Sequence, residues 1–168
     1  PSTGRCLVVV TADAERTMST YLGAGSDMGP DHIDPAVIGA AKVVYLEGYL
    51  WDRPEAKEAY RKSSRIAHDS GGRVALTLSD SFCVERHRAE WIELIDDTVD
   101  ILFGNEDEIQ MLYGLSFDDA MAKLRSTVQI GALTRGAAGS LIVSPDAVHA
   151  VAARPVHPPV DTTAAGDL

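Results

Sequence analysis

Residues 73–105 read RVALTLSDSFCVERHRAEWIELIDDTVDILFGN, and this stretch decides the fold class. RVALTLSD, 73–80, is a β-favouring run that ends in polar residues. SFCVERHRAEWIELIDD, 81–97, is an amphipathic helix that places Val84, His87, Trp91, Leu94 and Ile95 on one side. VDILFGN, 99–105, returns to strand. A strand, a helix and a strand in succession form a parallel crossover, because parallel strands need a connection of a dozen or more residues.

The same rhythm extends in both directions. AKVVYLEGYL, 41–50, is a nearly continuous apolar run, which predicts a strand buried on both faces. DRPEAKEAYRKSSRIAHDSGG, 52–72, predicts a helix with Asp52 as cap, Glu55 three residues on and a Gly-Gly stop. DHIDPAVIGAA, 31–41, predicts a short helix capped by Asp34 with Pro35 at its first position. NEDEIQMLYG and SFDDAMAKLRS each open on a capping residue with an acid three places later, so two further helices follow. TVQIGALTRG, SLIVS and AVHAVAARPV supply the closing strands, and CLVVVTADAERTMSTYL, 6–22, reads as a hairpin turning at ADAE. The expected architecture is a three-layer α/β/α sandwich with a mostly parallel sheet, in one domain over 1–168, with the hairpin as an appendage over 5–22.

Composition narrows the function. With 168 residues and 45% apolar content the chain can bury one real core. Its formal charge of −10 disfavours nucleic acid and anionic membrane, whose binding rests on basic patches. Cys6 and Cys83 show neither metal-ligand spacing nor a disulfide framework, which fits a reducing, cytoplasmic setting. No apolar run approaches the roughly 20 residues of a membrane span. His32, His68, His87, His149 and His157 show no HxH or HExxH spacing, which argues against zinc, and no GxSxG elbow is present.

Ligands of parallel α/β sheets bind beyond the carboxyl ends of the strands, which here carry the loops LEG, LSD, FGNEDE and LTRGAAG. Three segments stand out. VDTTAAGDL, 160–168, is either an anion site, where small residues let backbone N–H groups approach closely and an acid is placed to take a proton from a hydroxyl, or a plain loop with two solvated aspartates. In NEDE, Asn105 and Glu108 are three apart; they form either a helix capping box or an oxygen-donor pair acting on Mg²⁺ through water. TRGAAG, Thr134 to Gly139, is either a phosphate-presenting loop or a plain hairpin turn. Glu47 and Asp80, at strand ends, are either substrate contacts or solvated loop acids.

Taken together and in this order, the three segments resemble the ribokinase-like carbohydrate kinases, the PfkB family. NEDE is similar to the family's Asn-x-x-Glu motif, LTRGAAGSL to its Thr-x-Gly-x-x-Gly loop, and VDTTAAGD to its Asp-Thr-x-Gly-Ala-Gly-Asp signature. VVVTADAERTM resembles the family's β lid, and the wording around TADAERTMSTYLGA and LTLSDSFCVERHR looks most like adenosine-kinase-type members. The resemblance implies an ATP- and Mg²⁺-dependent kinase acting on a hydroxymethyl group of a sugar or nucleoside, and leaves a monovalent-cation requirement open. It implies Asp167 as the general base, and Ala164, Ala165 and Gly166 as an anion hole for the γ-phosphoryl group. It further implies that Asn105, Thr134, Gly136 and Gly139 line the nucleotide, that Glu108 acts on the metal through water, and that Arg16 and Glu47 lie on the acceptor side. At Ala164 the family usually has glycine. A homodimer through the lid, a longer parent chain, a fructokinase or ketodeoxygluconate kinase of the same fold, and a non-catalytic nucleotide- or sugar-binding module are the further expectations.

Overall fold

The computed structural model describes residues 2–79 and 81–154. The described residues fall into two compact units, one of residues 2–27 with Arg154, the other Met28–Ala153.

The first unit is the expected hairpin. Strand β1, Arg5–Val10, pairs antiparallel with β2, Arg16–Tyr21, in a register running from Val10↔Arg16 to Arg5↔Tyr21. Thr11 closes the turn, donating its N–H to the Glu15 carbonyl at 2.9 Å and its hydroxyl to the Asp13 carboxylate. That hydroxyl holds the Asp13 carboxyl below its ordinary pKa. Every residue of both strands is exposed.

The second unit is built on a six-stranded sheet in the order β3-β4-β5-β6-β7-β8. Its strands are β3, Val43–Glu47; β4, Arg73–Thr77; β5, Ile101–Asn105; β6, Ile130–Thr134; β7, Ser140–Val143; and β8, Val148–Val151. The first four are parallel, while β7 and β8 return antiparallel through short turns. This is the mostly parallel α/β sheet expected from the alternation of strands and helices.

Five helices accompany the sheet: α1, Pro35–Ala40; α2, Pro54–Asp69; α3, Ser81–Thr98; α4, Glu106–Tyr113; and α5, Phe117–Arg125. Side chains alternate across a strand, so the register separates two sheet faces. On one, Val44, Leu46, Val74, Leu76, Leu102, Leu133 and Val143 are buried against Tyr60, Trp91, Ile95, Ile109, Leu112 and Leu124 from the helices. The described residues thus supply the sheet and one helical layer. On the other face Val43, Tyr45, Phe103 and Ile142 are exposed. The run 41–50 is therefore not a strand buried on both faces: β3 alternates, with Tyr45 54% exposed, because it is the edge strand of the described sheet and only one of its faces meets a helix.

Two local expectations are corrected. Helix α2 begins at Pro54, with Arg53 rather than Asp52 in the cap position and no side-chain cap bond. Proline presets the helical φ, and its missing N–H is one that the first helical position leaves unpaired, so the helix starts there without a side-chain cap. Asp52 instead joins α3, accepting from His87 Nε2 at 2.8 Å and from Arg86 Nη2 at 3.1 Å. His87 is accordingly not part of the apolar stripe. It sits at a kink, φ −121° and ψ 22°, where the helix yields to this polar bridge. Val84, Trp91, Leu94 and Ile95 are buried as expected, with Trp91 stacked 4.6 Å from Trp51.

Candidate functional site

The parallel strands end together along one edge, and β5 and β6 deliver two of the three segments singled out above to adjacent positions. Asn105 ends β5 and Thr134 ends β6, and the two are direct register partners. Between the loops that follow them lies an open groove of ≈ 320 Å³ lined by Asn105, Glu106, Asp107, Thr134, Arg135 and Gly136.

On the β5 side the chain passes from strand to helix without a spacer, and Asn105 caps α4. Its Oδ1 accepts the Glu108 N–H at 2.8 Å, and Glu108 Oε2 accepts the Asn105 N–H at 2.9 Å. This is a complete capping box. Glu108 is 7% exposed, withdrawn from open solvent and not among the residues that line the groove. Three acids, Glu106, Asp107 and Glu108, occupy the first turn of α4, where the helix dipole favours negative charge.

On the β6 side, the loop 135–139 is a tight turn. Arg135 donates its N–H to the Gly139 carbonyl at 2.8 Å, and Ala138 and Gly139 donate back to Arg135 and Gly136 at 3.0 Å. The backbone N–H groups of Gly136 and Ala137 make no hydrogen bond among the described residues. Gly139 has φ +92°, and a Cβ there would lie 2.1 Å from the Val151 carbonyl oxygen, so the turn admits only glycine at that position.

Arg135 ties the two sides together. Its Nε lies 2.9 Å from Glu106 Oε2, and its guanidinium stands 4.7 Å from the ring centroid of Phe117 at the start of α5. Arg135 belongs to no motif that marks it as functional. Its only local signal was a charged side chain between a strand and a glycine turn; its partners lie on other elements.

The remaining candidates are distributed as follows. Glu47 ends β3 on the same strand edge, separated from β5 by β4, and is exposed. Arg16 lies on β2, in the hairpin unit. Ala164, Ala165, Gly166, Asp167 and Asp80 lie outside the described residues.

The groove offers hard oxygen donors from Asn105, Glu106 and Asp107, and among the described residues no group of three or more His, Cys, Asp or Glu side chains could cage a metal. That donor set suits Mg²⁺, which is held through few protein ligands with the balance from water and phosphate oxygens.

The chain matches, over residues 1–168, the family described as pfkB family carbohydrate kinase. It belongs to the pfkB family. Among solved structures, adenosine kinase from Sinorhizobium meliloti is 45% identical, with a TM-score of 0.93 over 99% of this chain and 52% of that one. A probable sugar kinase protein from Rhizobium etli CFN 42 is 43% identical, with a TM-score of 0.92 over 98% of this chain and 51% of that one. A putative ribokinase II from E. coli, in complex with ATP and Mg²⁺, shares the fold at 19% identity, with a TM-score of 0.85 over 98% of this chain and 54% of that one. This pfkB chain spans about half the length of these structures. No curated protein matches it. Among the described residues, no helix of this pfkB member is long and apolar enough to cross a membrane.

Proposed function

We propose that the protein carrying this chain is a cytoplasmic, ATP-dependent kinase that phosphorylates a hydroxymethyl group of a nucleoside or sugar, of the adenosine-kinase type. The observation that carries the reading is the adjacency of Asn105 and Thr134 in the β5–β6 register. It joins two motifs, each weak alone, in one groove at the carboxyl edge of a parallel sheet, where α/β folds bind ligands. The 45% identity to an adenosine kinase supports a nucleoside acceptor, and the 43% identity to a probable sugar kinase keeps a sugar acceptor as the second reading.

In this reading the free N–H groups of Gly136 and Ala137, with Thr134 and Gly139 shaping the turn, face the nucleotide. Asn105 and Glu108 orient water at the phosphates. Mg²⁺, when bound with ATP, neutralises phosphate charge. Phosphoryl transfer asks the protein chiefly for positioning and charge stabilisation. Asp167 takes the proton of the acceptor hydroxyl, and the backbone N–H groups at Ala164, Ala165 and Gly166 hold the transferring group. Glu47 and Arg16 serve the acceptor side. The exposed apolar residues Leu7, Val9 and Met18 of the hairpin support a homodimer through this lid.

The test is an assay of ATP-dependent phosphorylation over a panel of nucleosides and sugars, with Asp167→Asn alongside. A loss of about 10²–10⁴ in turnover is expected for removal of a general base. Undiminished turnover in that variant would sink the base assignment.

A further inference from the structure

The peptide that follows β3 is held by side chains from three other elements. The Glu47 carbonyl accepts the Tyr60 hydroxyl from α2. The Gly48 N–H donates to Ser79 Oγ at 2.9 Å, and the Gly48 carbonyl accepts from Cys83 Sγ of α3 at 3.3 Å. Gly48 itself presses on the loop after β4: a Cβ there would lie 2.5 Å from the Leu78 carbonyl oxygen, so the two loops meet backbone to backbone.

Ser79 adopts φ +66°, a left-handed conformation that L side chains rarely occupy. Its hydroxyl has a complete role there, accepting from Gly48 and donating to the Thr77 carbonyl at 3.3 Å. Glycine would fit the backbone more easily but has no side-chain oxygen to accept the Gly48 N–H. Backbone strain that persists where surrounding structure enforces it is a feature of ligand-binding positions. The strained residue here stands at the carboxyl edge of β4, next to the end of β3 that carries Glu47, and separated from the groove at β5 and β6 by no more than the strand edge itself.

We propose that Ser79 is a positioning residue for the acceptor: through Gly48 it fixes the Glu47–Gly48 segment as a rigid wall of the acceptor pocket, with Cys83 and Tyr60 completing the clamp. This rests on the kinase reading above. The nucleotide groove is formed by β5, β6 and their loops, so the clamp governs acceptor affinity and leaves nucleotide affinity alone.

The decisive variant is Ser79→Gly in the full-length protein, because glycine relieves the left-handed strain while removing the hydroxyl. A residue with a purely structural role would then be neutral or stabilising when replaced. The expected result is an unchanged or raised melting temperature, Gly48 amide exchange faster by about tenfold, and an acceptor KM raised about fivefold with the KM for ATP unchanged, each shift the size of one lost hydrogen bond. Ser79→Ala, which keeps the strain and loses the bond, should show the same kinetic shift with a lower melting temperature. Unchanged Gly48 exchange in Ser79→Gly overturns the clamp, and an unchanged acceptor KM, or equal changes in both KM values, overturns the acceptor role. If the unsubstituted protein phosphorylates no acceptor, the kinase reading and the acceptor role fall together, whereas the clamp is still decided by the exchange rate.

Discussion

Arg135 and Glu106, 29 residues apart in the chain, meet at 2.9 Å and bridge the loop after β6 to the first turn of α4. Both side chains are about one-third exposed, so solvent screens the pair. Its value lies in holding the two walls of the groove in one relative position. Arg135→Ala should therefore lower stability by no more than about 1 kcal/mol, yet raise the KM for ATP several times more than that for the acceptor. Steady-state kinetics beside a denaturant titration check the split.

The capping box separates a fold-stabilising role from a metal role at one residue. Asn105→Ala removes the cap and should cost about 1 kcal/mol of stability. Glu108→Gln preserves the reciprocal bond, since glutamine also completes a capping box. Stability should hardly move, while the Mg²⁺ concentration for half-maximal activity rises. An unchanged Mg²⁺ titration would assign Glu108 to the helix cap alone.

Two glycines of one turn should respond differently to alanine. At Gly136, φ +52° with open space around the missing Cβ, alanine meets only backbone strain of about 1–2 kcal/mol. At Gly139, φ +92° and ψ −136° lie outside the left-handed well altogether, and alanine would also collide with the Val151 carbonyl, forcing β8 away from the turn. Gly139→Ala should give the larger fall in melting temperature, and Gly136→Ala the milder one.

Burial pushes the Tyr113 phenol up to about 12 and moves Tyr60 upward as well. A raised folded pKa on an acid favours its neutral form in the native state. The associated stability is fully present below the unfolded value, about 10, and is lost as pH rises through the folded one. Stability measured by urea unfolding should thus decline above about pH 10, and Tyr113→Phe should flatten that decline. A decline of equal slope in the variant would count against the assignment.

Much of this protein is written locally. The alternation of apolar runs and amphipathic helices determined a parallel α/β sheet, because periods of 2 and 3.6 and the length of each crossover are properties of neighbouring residues. Asn105 with Glu108, Ser116 with Asp119, and Asp34 before Pro35 announced their helices because a cap reaches only two or three residues. The motifs were legible for the same reason.

What only the tertiary structure decided involves distance along the chain. Asn105 becomes the neighbour of Thr134 through strand register, and Arg135 finds Glu106 and Phe117 on separate helices. Asp52 leaves its expected cap for His87 and Arg86, because the cap position before Pro54 falls on Arg53 and these two partners stand on α3. Tyr45, in a run that looked wholly buried, lies on the open face of an edge strand. Ser79 shows the limit most clearly: a serine after a strand reads as an ordinary turn residue, and its left-handed backbone and its bond to Gly48 exist only because β3 and β4 pair in parallel and bring their ends together.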